Sequence, residues 1–405
     1  MRLFSLFIPV ALVGALAAVA ACGDSAGPGP QAASVTGAAG DSQTAPTGAT
    51  LDFPLSLVTL NSTGQPAQGV HVTWSVTPAG GATFNPATSL SDAGGQASTI
   101  VTAGTTAQQI TIQASVPGVP APAVFHALVV DPCTYARGLV VGETANSVLT
   151  TSDCLDRSWY FDYYAFALPS GQQSLRIKQR GTFDTFLHLF NTNGEYVGFD
   201  DDSILAVQQN SQLDIIFPGD TYIIGATSYG RFVTGSYSIT TEQRPAAMNG
   251  CREVWVLRGV SVTDSIQATD CADSSAVTPA TYYDVARIAL YDTTVLTMTV
   301  RSAAINPTLT LYQLDPNTYD RTLVVSNDDS AAGNNTAFIS VQVNAPATFA
   351  NFFDILIGTS TPGETGTYTF AVSASRTLSK RQSPPMPGVR AWWPSAGSVL
   401  KRSKH

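Results

Sequence analysis

The sequence predicts an all-β protein built from several sandwich domains, and three observations lead there. Apolar and polar residues alternate at strand period over most of the chain, and no long stretch keeps a helical period. Charged residues make up only 12% of the 405 residues, while Gly, Ser, Thr and Val abound, as in exported β-rich modules. Four of the five cysteines form two pairs of nearly equal spacing, Cys133 with Cys154 and Cys251 with Cys271.

The chain begins with a charged residue, Arg2, and an apolar run that ends in small residues before Cys22. A charged start, an apolar centre and a small-residue end are the parts of an export signal, which assigns residues 1–21 to a leader. Val19-Ala20-Ala21-Cys22 resembles the bacterial lipobox. That resemblance implies diacylglycerol on the Cys22 sulfur, cleavage before it, and a lipid anchor in a membrane, at about 0.8 kcal/mol per buried methylene. Gly23 follows the cysteine in place of Asp, so the usual retention signal of the inner membrane is absent and outer-membrane delivery is favoured.

Residues 22–48 are mostly Ala, Gly, Ser, Pro and Thr, which bury too little surface to offset ordering entropy, so a flexible tether is expected. Gly23-Asp24-Ser25-Ala26-Gly27 matches a hydrolase pattern but lacks the strand-turn-helix context that exposes a nucleophile. Residues 49–130 alternate, with Val70, Val72 and Trp74 on one face and His71 and Thr73 on the other. Gly64-Gln65-Pro66, Gly69-Val70-x-Val72-x-Trp74, Thr88-x-x-x-Asp92-Ala93-x-Gly95 and Ile112-x-Ala114 resemble the bacterial immunoglobulin-like domains of the invasin and intimin type. The resemblance implies a β-sandwich with Trp74 in its core, used as a spacer or adhesive module, here without the cysteine pair known in that fold.

Two copies of one domain follow, over residues 133–243 and 251–374. Ser147-Val148 and Thr151 to Cys154 recur as Ser265-Ile266 and Thr269 to Cys271. Tyr163 to Phe166 is matched with Tyr282 to Val285, and Phe183 to Leu189 with Ile305 to Leu311. Asp200 to Ser203 pairs with Asn327 to Ser330, and Gly235-Ser236-Tyr237 with Gly366-Thr367-Tyr368. These landmarks are similar to the bacterial pre-peptidase C-terminal domain, which implies a jelly-roll-like sandwich accessory to secreted proteins rather than a catalyst. The second copy departs from the family, with Asn306-Pro307 for Asp-Thr and Asp354-Ile355 expected where Thr221-Tyr222 stand in the first. Duplication favours disulfides within each copy, although four cysteines allow three connectivities. A zinc site needs ligands closer in sequence than these.

The acidic turns supply candidate calcium ligands: Asp201 and Asp202 in the first copy, Asp328 and Asp329 in the second. A hard cation relieves the repulsion of adjacent carboxylates by gathering six to eight oxygens. No enzyme is expected. The four histidines, His71, His126, His188 and His405, have no nucleophile nearby, and His188, between Leu187 and Leu189, should face solvent. Sequence alone leaves a carboxylate-pair glycosidase open.

Residues 375–405 read as a disordered basic tail: from Arg376 onward there are seven basic residues and no acidic one. The remainder holds 13 basic against 29 acidic residues, a net of −16, which argues against nucleic acid as a partner. The reading is a lipid-anchored lipoprotein of the cell envelope that binds polysaccharide or protein. A structural envelope component without a specific ligand is the alternative, and a hydrolytic enzyme the remote third.

Overall fold

The computed structural model describes residues 30–201, 210–248, 250–273, 280–291, 293–315, 318, 320–328, 335–344 and 351–376. Strands and their turns account for nearly all of them, with one 3₁₀ turn at Pro132–Thr134. All the described domains are β-sandwiches.

The first sandwich pairs two sheets. One runs Ser34–Ala39, Leu55–Leu60, Gln96–Ala103, Ala82–Asn85, and the other Gln43–Pro46, Ala123–Val130, Gln108–Ser115, His71–Thr77, Thr88–Leu90. Leu55, Leu57, Val72, Trp74, Ile110, Ile112 and Phe125 fill the space between. The Trp74 ring lies 5.9 Å from that of Phe125, and its indole NH donates to Ser89 Oγ at 2.9 Å. His71 and Thr73 face outward, as alternation requires.

The tether expected over residues 22–48 stops short, because Ser34–Ala39 and Gln43–Pro46 are edge strands of this sandwich. Their small side chains read as linker composition. Yet Ala32 and Ala45 are buried, and the backbone bonds of these strands come from Leu55–Leu60 and Ala123–Val130. The leader and Cys22 lie outside the described residues.

The first repeat has a sheet ordered Arg137–Gly138, Trp159–Ala167, Thr221–Ser228, Thr185–Asn191, Tyr196–Asp200, with Cys154–Asp156 folded back on Trp159–Phe161. Facing it are Thr144–Leu149, Gly235–Gln243, Gln172–Gly181 and Ser211–Pro218. That second sheet does not end there. Val254–Val256 pairs parallel with Ser211–Pro218 on one side and with Thr281–Leu290 on the other. The sheet then continues through Asn351–Thr359, Pro307–Leu314 and Arg321–Asn327, and Cys271–Asp273 brings it to ten strands. The remaining sheet of the second repeat is Val260–Ile266, Gly366–Arg376, Thr294–Arg301, Thr336–Val343. The last strand before the tail therefore reaches Arg376, two residues into the segment read as tail.

Ladder partners correct the alignment of the copies. Cys154 lies opposite Phe161 and Cys271 opposite Tyr283, which sets Asp162 level with Asp284. Matching Tyr163 to Phe166 with Tyr282 to Val285 is three residues out, because Tyr160-Phe161 and Tyr163-Tyr164 are equally good aromatic landmarks. Asp162 pairs with Ala226 and Asp284 with Ile357, so Phe353, not Ile355, stands where Tyr222 does. Ser147 lies opposite Tyr237 and Asp264 opposite Tyr368, so Ser147 is level with Asp264 rather than Ser265.

The two repeats share packing as well as backbone. Trp255 is buried with its ring 5.1 Å from Phe199 of the first repeat and 5.9 Å from Phe352 of the second, and those two rings are 5.1 Å apart. Gly198 makes room for the indole: a Cβ there would lie 3.3 Å from Trp255 Cδ2 and 3.2 Å from both Leu213 methyls.

Candidate binding site

Each repeat is stapled at its entry. Cys133–Cys154 and Cys251–Cys271 are disulfides, each within its own copy. The first one fixes the hairpin of Cys154–Asp156 and Trp159–Ala167. At its turn Arg157 has φ 56°, and in the facing loop Phe232 has φ 55°. The Phe232 amide donates to the Ser158 carbonyl at 2.7 Å, and the Trp159 indole NH to the Tyr229 carbonyl at 3.1 Å, so the two loops are clamped together. A left-handed phenylalanine costs on the order of 1–3 kcal/mol, and it persists only where its surroundings impose it.

The clamp turns the Phe232 ring outward. It is 59% exposed, resting edge-on against Tyr160 at 6.4 Å, while the Arg231 guanidinium covers the Trp159 ring at 5.0 Å. Leu155 is exposed on the same hairpin. An exposed aromatic ring and an arginine are residue types enriched at the centres of interfaces, although Trp159 and Tyr160, as successive strand residues, carry Arg231 and Phe232 on opposite faces. The level segment of the second repeat, residues 360–365, carries no aromatic residue, so this patch belongs to the first repeat alone. A lone Phe in a turn offers no period, and only the repeat comparison at Tyr229 to Thr234 could have singled it out.

Beneath the staple, a cleft opens between the first sandwich and the first repeat, lined by Tyr135, Arg137, Ser147, Asp153, Asp162 and Tyr164. Asp153 accepts from the Thr150 amide at 2.6 Å, and burial followed by repulsion from Asp162 pushes its carboxyl up to about 7. Burial also raises Asp162, against the hydrogen bonds it receives from the Tyr237 hydroxyl and from Ser147 Oγ at 3.2 Å. Tyr237 in turn bonds the Tyr164 hydroxyl at 2.7 Å. Arg137 reaches across to Asp52 of the first sandwich at 3.2 Å.

The second repeat carries the same pair. Asp270 accepts from the Gln267 amide at 2.6 Å. Asp284 accepts from the Tyr368 hydroxyl at 2.8 Å and the Gly250 amide at 3.0 Å. Asp264, level with Ser147, adds a third carboxylate, and burial lifts Asp284 to about 7. In both copies the carboxylates accept from the repeat's own hydroxyls and amides, which ties its strands together. The sequence hid this pair because Asp162 interrupts an aromatic run, Trp159 to Tyr164, and the registers chosen set it against the wrong residue.

The residues singled out from sequence behave unequally. Asp201 is buried at a strand end and Asp328 is exposed, while Asp202 and Asp329 lie outside the described residues. Among the described residues no three His, Cys, Asp or Glu side chains converge as a metal site would require. His188 does not face solvent. It is buried, 4.3 Å from the Phe186 ring and 5.5 Å from that of Phe161, with Nδ1 2.6 Å from the Tyr196 hydroxyl, and burial lowers it to about 3. The rings of Phe161 and Phe190 give that face of the strand an apolar cover that alternation alone did not predict.

No family model matches the chain, and no curated protein does. Among solved structures, the pre-peptidase C-terminal domain of a Bacillus anthracis collagenase aligns at 13% identity over 27% of this chain and 95% of that one, with a TM-score of 0.22. Carbohydrate-binding modules of the β-sandwich superfamily align at 11% identity over 86% and 98%, with a TM-score of 0.16. Yersinia pseudotuberculosis InvD aligns at 13% over 84% and 98%, with a TM-score of 0.17. At these scores the likenesses add nothing to the sandwich fold already read from the strands.

Proposed function

We propose that this is a bacterial envelope lipoprotein, anchored through lipid on Cys22, whose first repeat binds polysaccharide or protein through the Phe232 patch. The immunoglobulin-like sandwich acts as its spacer, and the outer membrane is the expected location. The observation that carries the reading is Phe232 itself, an exposed ring held in a strained conformation and clamped through its amide to Ser158, on the hairpin that also exposes Leu155. Arg157 and Arg231 lie in the two clamped loops, and guanidinium forks suit the carboxylates of a polysaccharide or a protein.

The test uses the soluble Cys22→Ser chain on glycan arrays and in pulldowns from cell-wall and envelope fractions. Retention that falls at least tenfold in Phe232→Ala supports the reading. Equal retention by both chains overturns the assignment of the patch. No retention of either chain favours the second reading, a stabilising envelope component without a ligand, which the ten-stranded sheet joining the repeats makes reasonable. The same Cys22→Ser chain must leave the membrane fraction if lipid is the anchor. A role for calcium rests on Asp201, Asp202, Asp328 and Asp329 as ligands, and an unchanged melting midpoint with chelator removes it.

A further inference from the structure

The motif Met-x-Gly-x-Arg-x-x-Trp occurs twice in this chain, as Met248 to Trp255 and as Met386 to Trp393. With only four methionines and five tryptophans among 405 residues, the coincidence of spacing calls for a reason. In the first occurrence every motif residue has a task. Met248 is buried, and Gly250 takes φ 57° so that its amide meets Asp284. Arg252 donates to the Gln212 carbonyl at 2.7 Å, and Trp255 closes the joint.

Arg252 and Trp255 act on the open side of the first repeat, between the edge strands Tyr196–Asp200 and Ser211–Pro218. The second repeat has the same open side, between Arg321–Asn327 and Thr336–Val343. Asp200 and Asn327 face Leu187 and Leu309, and Leu213 and Ile339 face Ile177 and Met298. Gln212 is therefore level with Phe338. In the first repeat Ser211 to Phe217 are all buried, whereas Thr336–Val343 alternates and is the last strand of its sheet among the described residues. Leu323, Val324 and Phe338 are 58%, 38% and 41% exposed.

We infer that residues 386–393, which lie outside the described residues, dock on the second repeat of the same chain. Trp392-Trp393 adds a parallel strand to the outer edge of Thr336–Val343, Arg390 donates to the Phe338 carbonyl, and the indoles cover Leu323, Val324 and Phe338. The connection reaches: twelve residues separate Gln243 from Trp255, and nineteen separate the level residue Ala374 from Trp393. Charge agrees, since a segment with six basic residues after Arg376 meets a body with an acidic excess. The seat differs in one respect. Val325 stands where Gly198 does and Ser326 where Phe199 does, so the indole moves off the valine and over the serine.

Hydrogen exchange on the soluble Cys22→Ser chain tests this. The amides of Thr336–Val343 that do not bond Thr294–Arg301 should be protected in the full chain. They should lose that protection in a chain ending at Arg376 and in Trp392→Ala/Trp393→Ala, with Thr294–Arg301 unchanged as the control for folding. A peptide of residues 382–396 added to the shortened chain should restore it. Equal exchange in the full and shortened chains overturns the inference. Protection that rises with protein concentration also overturns it, because the edge is then filled by a second copy.

Discussion

At the scale of single residues, the buried carboxylates make stability depend on pH in a defined sense. An aspartate in an unfolded chain titrates near 3.9, whereas Asp284 titrates at about 7. Burial is the main cause, repulsion from Asp270 and Asp264 adds to it, and the Tyr368 hydrogen bond opposes it. Between those two values the folded state holds the extra proton, so stability falls as pH rises through the window, and the cost is complete above about 7. His188, lowered to about 3, acts oppositely: between about 3 and 6.5 the unfolded chain takes up the proton and stability rises with pH. Only the carboxylates act from pH 6.5 to 8. Asp284→Asn keeps the shape of the protonated acid, and one of its two hydrogen bonds, without the charge. Its melting temperature should fall less than the parent's across that range, by about 1 kcal/mol or about 2–4 °C. Identical slopes would show that Asp284 does not hold the proton.

At the scale of elements, the staple and the patch are one device. The Cys133–Cys154 loop spans 21 residues, and opening it costs roughly 3 kcal/mol on a chain-entropy model. Cys154 begins the hairpin whose turn clamps Phe232. Cys133→Ser/Cys154→Ser should therefore lower the unfolding free energy by that amount, read as a lower denaturant midpoint at unchanged m, and raise the exchange rate of the Phe232 amide. A slow Phe232 amide in that variant would mean the loops hold each other without the sulfurs. Elements also show what the sequence could reveal. Alternation found the core face of Val70, Val72 and Trp74, because a strand with one wet face writes its burial at period two. The spacing of the cysteines found both disulfides. Composition misjudged Ser34–Ala39 and Gln43–Pro46, since edge strands of small residues draw their stability from neighbours. Landmark matching slipped by three residues at Asp162, because tandem aromatics carry no register of their own. Phe232 and Trp255 stayed hidden, as a turn and a connector impose no period on the residues they present.

At the scale of the molecule, the sequence suggested three beads on a string, and the packing joins two of them. The core around Trp74 holds residues of the first sandwich only, whereas the core around Trp255 takes Phe199 and Leu213 from one repeat and Leu314 and Phe352 from the next. Backbone continuity reinforces this, because Val254–Val256 bonds to both repeats along a single sheet. Arg287 stacks on the Trp255 ring at 5.7 Å while pairing with Asp354 at 2.6 Å, so a buried charge network is anchored at the same joint. The paired repeats should therefore melt in one calorimetric transition, distinct from that of the first sandwich, whose described contacts with them include the exposed Arg137–Asp52 pair and a cleft rather than a shared sheet. Trp255→Ala removes the plug and leaves a cavity between the repeats, at a cost of about 3–5 kcal/mol. Since that loss falls on the contact between repeats rather than inside either one, the shared transition should split in two, with the second repeat melting at the lower temperature. That repeat loses the cover over Phe352. A parent chain whose repeats already melt apart would mean that the ten-stranded sheet carries backbone bonds across the joint without energetic coupling.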